Sequence, residues 1–279
     1  MTYTGFGISL AALNPSTPAV VDFINGTYLT RYSVPVPSDA QLLIISLAQS
    51  MVLVGAIIGA GGVRFFIDMF SRKFNILCVH LLVLLSTILM GPVPKATGSY
   101  EVLIVGRLLN GISRGVAYTC VPIYIAETCN RKSLPLYQAP SVLLIFGGIL
   151  IANCIGHPKV LGGVYTWPYL LASPGIFSVL YVISYPFLPN TPVYILRYRK
   201  SEDRSAEALN VLQKLRRTSS EKTKKELATL KKEIEGDIKL EKVGLLDVIR
   251  DPHYRIQLLA AVIVMLTFPM SGVDGIIMY

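Results

Sequence analysis

Apolar residues along the chain gather into long runs with no strict two-residue alternation, separated by short polar breaks. Runs near Thr4–Val21, Ala40–Val63, Phe74–Val93, Tyr100–Ala126, Leu136–Gly156, Tyr165–Leu188 and Ile256–Tyr279 approach the ~20 residues a helix needs to cross the hydrocarbon core of a bilayer. In lipid every backbone N–H and C=O must be paired inside the structure. Non-alternating runs of this length therefore predict helices rather than barrel strands, and an all-α fold. The first run is the least regular, because Asn14 and Pro15 interrupt it and it begins almost at Met1. Between Ser201 and Gly244 the pattern changes. Leu209 and Leu212 share one face, and Leu227, Leu230, Ile234 and Ile238 recur at three and four residues, which predicts amphipathic helices; Thr223 and Glu226 fit a capping box at one helix start.

Composition supports a membrane setting: 52% of the 279 residues are hydrophobic and 15% charged, with mean hydropathy +0.55, whereas a soluble domain carries about 25% charged residues. The net charge of +9 does not point to nucleic acid. Of the 26 Lys and Arg, 16 lie between Arg197 and Arg255, among 11 of the 17 acids, with no aromatic-studded basic stripe. The remaining cations set orientation. Arg64, Arg72, Lys73, Arg131 and Lys132 fall in loops on the side of the large basic segment, against Arg31, Lys95 and Lys159 on the other, so the N-terminus and the Arg197–Arg255 segment are expected in the cytosol. Asn25 opens an Asn-Gly-Thr glycosylation sequon that this orientation places in the first outer loop. No cleavable signal peptide is expected, because the N-terminus has no charged lead before its apolar part.

Cys78, Cys120, Cys129 and Cys154 have no paired spacing, so no disulfide framework or metal site is expected. His80, His157 and His253 are scattered, with no nucleophile or metal-ligand spacing around them. No enzyme and no cofactor is implied. Six spans, a long charged segment and one further span suit the front of a transporter built from two six-helix halves: 1–190 as the first half, 191–255 as a cytoplasmic helical loop, and 256–279 as the first helix of a second, missing half. A seven-helix receptor would place its N-terminus outside and its longest inner loop before the sixth span, the reverse of this charge pattern.

The fourth run carries the most specific signal. Gly106, Arg107, Gly111 and Gly115 form a GRxxxGxxxG pattern, and Pro122, Tyr124 and Glu127 a PxYxxE pattern at the far end of the same helix. Glycines four apart let helices approach closely. With Gly147–Asn153, Trp167–Leu171, Leu246–Arg255 and the Ser271–Tyr279 segment, the chain resembles the sugar porters of the major facilitator superfamily over nearly its whole length. That resemblance implies transport of a monosaccharide or polyol across a lipid bilayer by alternating access. It also implies a cytoplasmic gate of charged motifs at Asp68, Arg72 and Lys73, at Glu127, and near Pro189 and Pro192. Departures from the family pattern are confined to particular positions. Met69 and Ser71 replace a basic residue and a glycine. Leu134-Pro135 stands where an arginine-glycine pair is expected, leaving Arg131 and Lys132 as the nearest cations. The third motif keeps its prolines and loses both charges. Along the implied substrate path, Val142, Phe268 and Pro269 replace glutamines and Asp274 replaces an asparagine, leaving Gln138, Asn153, Asp274 and Arg114 as the polar candidates. Arg114 is a charge inside a span, which is costly enough to mark a functional position. Besides transport by the complete protein, two readings stay open: a non-transporting relative that acts as a sensor or assembly partner, and an inactive fragment.

Overall fold

The computed structural model describes residues 1–67, 69–130, 132–198, 203–216, 220–239 and 251–271. The described residues are overwhelmingly helical, and no strand occurs among them. In chain order the helices are α1 (Thr2–Ala11), α2 (Leu13–Tyr32), α3 (Ser38–Ile67), α4 (Arg72–Met90), α5 (Pro92–Thr97), α6 (Tyr100–Thr128), α7 (Leu134–Gln138), α8 (Pro140–Ile155), α9 (Trp167–Ala172), α10 (Pro174–Ser184), α11 (Pro192–Tyr198), α12 (Arg204–Arg216), α13 (Ser220–Lys239) and α14 (Pro252–Met270).

Several breaks between neighbouring helices have one cause. Proline lacks the N–H that would bond four residues back, but it is tolerated in the first helical turn. Pro92, Pro140 and Pro174 each open a new helix directly after a helical run, and Pro168 sits at the second position of α9 after a stretch of turns. The runs expected at Leu136–Gly156 and Tyr165–Leu188 are thus each one axis in two segments, α7–α8 and α9–α10, with Ala139 and Ser173 kept in the right-handed helical region at the joints. The first run is longer than its apolar pattern suggested. Ala12 at the α1–α2 joint is also in the right-handed helical region, and the helix continues past Val21 to Tyr32 with Pro18 inside it. The Asn25 sequon therefore lies within α2 and not in a loop, with Thr27 buried.

Four of the expected spans are long and apolar enough to cross a membrane: Ser38–Arg64, Arg72–Thr97, Leu134–Ile155 and Trp167–Phe187. Their outer faces expose large apolar side chains, such as Leu53, Ile57, Leu143 and Ile183, at more than 60% of their free area. That surface suits hydrocarbon rather than water. α6 has comparable length but is more polar, for it is the inner helix, packed between α3 and α4 with its polar residues buried. Along α6 and α4 two apolar clusters flank this polar stretch. One joins Met90 and Leu103 to Leu13, Val20, Ile24, Ile44, Trp167 and Leu171; the other joins Ile76, Val79, Ala117, Cys120 and Val121 to Val63 and Tyr181.

The α3–α6 contact is made backbone to backbone. A Cβ added at Gly111 or Gly115 would run into the carbonyl oxygens of Val52 or Ala56, and one added at Gly55 or Gly59 would run into those of Leu108 or Ile112. The glycine spacing read from α6 is therefore matched by a second glycine pair on α3, the close approach that small residues allow in lipid.

The amphipathic helices form as the pattern predicted, with Ala208, Leu212 and Leu227 buried. The capping box does not form, because α13 already begins at Ser220 and Thr223 is buried one turn inside it. An acid at Glu221 in the first turn complements the helix dipole there instead. Met1–Leu227 and Ala228–Tyr279 are two separate compact units. In the second, α14 is an apolar helix with most of its described side chains exposed.

Candidate functional site

The polar stretch of α6 is tied by hydrogen bonds to α1 and α4, and His80 of α4 joins α1 and α10 beside it. Ser9 Oγ donates to Asn110 Oδ1 at 2.7 Å, and Asn110 Nδ2 donates to Ser86 Oγ at 3.1 Å. Ser113 Oγ donates to the Asn110 carbonyl at 2.7 Å. Alongside, His80 lies within 3.0 Å of both Thr2 Oγ1 and Ser178 Oγ, one through each ring nitrogen, and stacks on Tyr181 with centroids 4.1 Å apart. Such bonds contribute only about 1 kcal/mol net each, but a buried polar group left without a partner costs about 1–3 kcal/mol, so the network fixes how these helices sit.

Two arginines complete the layer. Arg107 and Arg114 are 3% and 5% exposed. Arg107 Nη1 reaches the Ser9 carbonyl at 3.4 Å, and Arg114 lies 4.7 Å over the ring of Phe6, which itself meets Tyr118 edge-on at 4.9 Å. Burying a guanidinium costs several kcal/mol unless it is paired. In both arginines Nε and Nη2 are buried with no hydrogen-bond partner among the described residues. Arg114 borders a cavity of about 30 Å³ that Ser9, His80, Asn110, Ser113 and Ser178 also line, room for at least one water.

A second polar cluster lies where α4 begins and α6 ends. Arg72 Nε pairs with Glu127 Oε1 at 3.2 Å, with the side chains 7% and 13% exposed. Arg72 Nη1 also donates to the Ile67 carbonyl, so one guanidinium joins the ends of α3, α4 and α6. Tyr124, one turn before Glu127, donates to the Pro189 carbonyl at 2.9 Å. Pro192 opens α11 and is buried, with the buried Thr191 accepting from Tyr194 N at 3.3 Å. Lys73 lies 4.3 Å over the Tyr185 ring. Arg216 at the end of α12 then donates to the carbonyls of Thr128 and Cys129 at 2.6 and 3.1 Å, satisfying the exposed C-terminus of α6, and pairs with Glu226 at 2.8 Å.

At the opposite end of the bundle Arg31 ties α2 to the start of α6. It bonds Glu101, Ser99 Oγ at 2.6 Å and the carbonyl of Gly98 at 3.0 Å. The hydrogen bond to Glu101 raises the pKa of Arg31 above its ordinary value. Gly98 ends α5 at φ +59, a left-handed position that glycine adopts without strain.

The expected residues thus separate into groups. Arg72 pairs with Glu127, and Tyr124 on the same helix as Glu127 reaches the Pro189 carbonyl; Lys73 lies over Tyr185, and Pro192 is buried at the start of α11. Gly106, next to Arg107 in the chain, packs against Leu89 and Met90. Gln138 and Asn153 do not join Arg114: they sit near opposite ends of the α7–α8 axis, Asn153 with its side chain exposed, and neither borders the Arg114 cavity. Asp68, Arg131 and Asp274 lie outside the described residues. Sequence reasoning missed Ser9, His80, Asn110 and Arg216. The signal for Asn110 was present, since it sits between Arg107 and Arg114 at helical spacing. Arg216 was one basic residue among many in a charged segment.

The family model described as "Sugar (and other) transporter" matches residues 11–279. The chain is 31% identical over 277 residues to facilitated glucose transporter member 1 of Gallus gallus, covering 98% of this chain and 55% of that protein. It is 32% identical over 275 residues to facilitated glucose transporter member 3 of Mus musculus, covering 98% and 54%. Among solved structures, the proton:xylose symporter XylE bound to 6-bromo-6-deoxy-D-glucose superposes with a TM-score of 0.69 at 18% identity, over 84% of this chain and 52% of that one. The inward-open xylose transporter XylE from E. coli gives 0.64 at 19% identity, over 88% and 56%. The chain spans about half the length of the curated relatives it matches.

Proposed function

The chain belongs to the sugar transporter family, the sugar porters of the major facilitator superfamily, and on that premise we propose that the complete protein moves a monosaccharide or polyol across a membrane by alternating access. The family is one of multi-pass membrane transporters rather than enzymes. The observation that carries the proposal is the Arg72–Glu127 pair, a buried ion pair at the shared end of α4 and α6 that sits against the Pro189–Pro192 turn. A pair in this position can hold one end of the bundle closed and must rearrange when two halves rock about a midplane site. In this reading residues 1–190 supply the first six spans, and the sugar lies between them and a second half. Gln138, Asn153 and Asp274 are the positions at which hydroxyls would be met. Saturable uptake of at least one labelled hexose, pentose or polyol is expected in vesicles carrying the protein with both halves. Uptake no greater than in empty vesicles for every sugar and polyol tried would end the proposal.

The same reading places the protein in the plasma membrane with its N-terminus and the segment 197–255 in the cytosol. The support is the concentration of Lys and Arg in that segment and in the short loops on its side. Asn25, within α2, would then lie toward the outer side. Protease added to sealed, right-side-out vesicles is expected to leave the segment intact and to cut it once the vesicles are opened; cutting in sealed vesicles would invert the topology.

A further inference from the structure

Two neighbouring axes, α4–α5 and α9–α10, pack against each other, and at each end a lysine of the first lies over a tyrosine that flanks the second. Lys95 of α5 sits 5.4 Å from the centre of the Tyr165 ring and donates to the Tyr165 carbonyl at 3.0 Å. Lys73, in the first turn of α4, sits 4.3 Å from the centre of the Tyr185 ring. Neither lysine takes part in an ion pair among the described residues. Lys73 and Lys95 are 22 positions apart within the apolar span Arg72–Thr97, and Tyr165 and Tyr185 are 20 apart along the span that contains Trp167–Phe187. At 1.5 Å per helical residue these separations are about 33 and 30 Å, and the hydrocarbon core of a bilayer is about 30 Å thick. Between the two ends the helices are apolar: no Asp, Glu, Lys or Arg occurs in 74–94 or 166–184. Leu81, Leu85 and Ile88 of α4 and Ile176 and Ile183 of α10 stay 48–62% exposed, a surface for lipid tails.

We propose that the two lysine–tyrosine pairs lie at the two headgroup levels of the bilayer, and that each lysine ammonium binds the phosphate of a phospholipid there. A tyrosine carries an apolar body and a polar tip, and it prefers the boundary where hydrocarbon meets water. A lysine lays its stem along apolar surface and keeps its ammonium in the polar layer. Attraction to the ring face acts within about 6 Å, so each tyrosine holds its ammonium at the level of the ring. At Lys95 one N–H is used by the Tyr165 carbonyl, and the other two can reach phosphate oxygens. The Tyr165 ring is 80% exposed and Tyr169, four residues on, 68%, so this end offers rings as well as charge to the lipid. Lys73 is thereby assigned to lipid and not to the Arg72–Glu127 pair beside it. The assignment holds whichever end of the bundle faces the cytosol, and whether or not the complete protein carries sugar.

Thermal unfolding of the purified full chain in detergent, followed by the fluorescence of Trp167, tests the phosphate contacts. Phosphatidylglycerol is expected to raise Tm saturably by about 2–4 °C over an uncharged galactolipid with the same acyl chains, and the difference is expected to vanish in K73Q/K95Q. Equal midpoints in the two lipids would overturn the proposal, as would a difference that the double variant keeps or an equal rise with inorganic phosphate alone. Depth is read separately in bilayers, from the fluorescence that Y165W and Y185W each add to that of Trp167. Both are expected to be quenched more strongly by a lipid spin-labelled at its headgroup than by one labelled at the end of its acyl chain. Equal or stronger quenching from the chain end, at either position, places that pair inside the hydrocarbon and overturns the proposal. This second readout keeps both lysines, so it decides should K73Q/K95Q fail to fold.

Discussion

Placing leucine at Gly115 is expected to lower the thermal midpoint of the purified protein by roughly 6–12 °C, whereas leucine at Gly61, on the same pair of helices, leaves it within about 2 °C. At Gly115 the first added carbon already meets the Ala56 carbonyl and the Ala60 nitrogen. Those are backbone atoms, and no rotamer change moves them. α3 and α6 must separate, and Gly55, Gly59 and Gly111 lose their contacts together because each sits against the opposite backbone. Overpacking of a fitted core costs about 1–3 kcal/mol and more where the backbone must shift; at roughly 2–4 °C per kcal/mol for a chain of this size, the upper end gives the stated drop. A Cβ at Gly61 meets nothing within 4 Å, so leucine there adds surface without displacing any group. The lone tryptophan, Trp167, is buried in the apolar cluster and reports unfolding by fluorescence. Equal midpoints for G115L and G61L would show that the α3–α6 contact is looser than its backbone geometry.

The same glycines show how far the sequence could be read. Spacing on α6 was visible as Gly106, Gly111 and Gly115, and it led both to the close helix contact and to the family. Its partner surface on α3 was hidden, because Gly55 and Gly59 stand in a run where Gly61 and Gly62 follow and only two of the four face α6. Hydropathy located the lipid-facing helices well, since their outer faces are apolar whatever the inner contacts are. It located the first helix poorly: a helix continues as long as its backbone bonds are made, and α2 carries on for eleven residues beyond Val21 into polar sequence. The Arg72–Glu127 pair was legible in part, because ion pairs at helix ends need particular residue types at particular positions; Asp68 and Arg131 lie outside the described residues. The interior network was not. Ser9, Ser86, His80 and Asn110 come from α1, α4 and α6, and their polar atoms meet only once the helices are packed. The replacement for the family's missing arginine-glycine pair was sought nearby in sequence. In the structure the α6 C-terminus is met by Arg216, eighty-eight positions after Thr128.

Removing one member of the Arg72–Glu127 pair is expected to be far more damaging than removing both. With R72A the Glu127 carboxylate, 13% exposed in the unaltered protein, loses the counter-ion at Oε1, and its Oε2 already has no partner among the described residues. Leaving a buried charge uncompensated costs about 3–5 kcal/mol, or a fall of roughly 6–20 °C in Tm at this chain length. E127A strands Arg72 in the same way, though its hydrogen bond to the Ile67 carbonyl remains and softens the loss. The double variant R72M/E127M puts two apolar side chains into the same space. Exchanging a buried ion pair for well-packed apolar groups is often neutral or stabilising, because the desolvation of both ions disappears along with their attraction. Its Tm is expected within a few degrees of the parent, giving a coupling between the two sites of opposite sign to the single losses. The consequence for a rocking transporter is separable from stability. On the proposed alternating-access reading, a protein that keeps its fold without the pair would lose what holds this end shut, and sugar flux by the complete R72M/E127M protein is expected to change while its Tm does not. Single and double variants that lose stability additively would show that the two charges do not act on each other, and the gate assigned to them would have to be placed elsewhere.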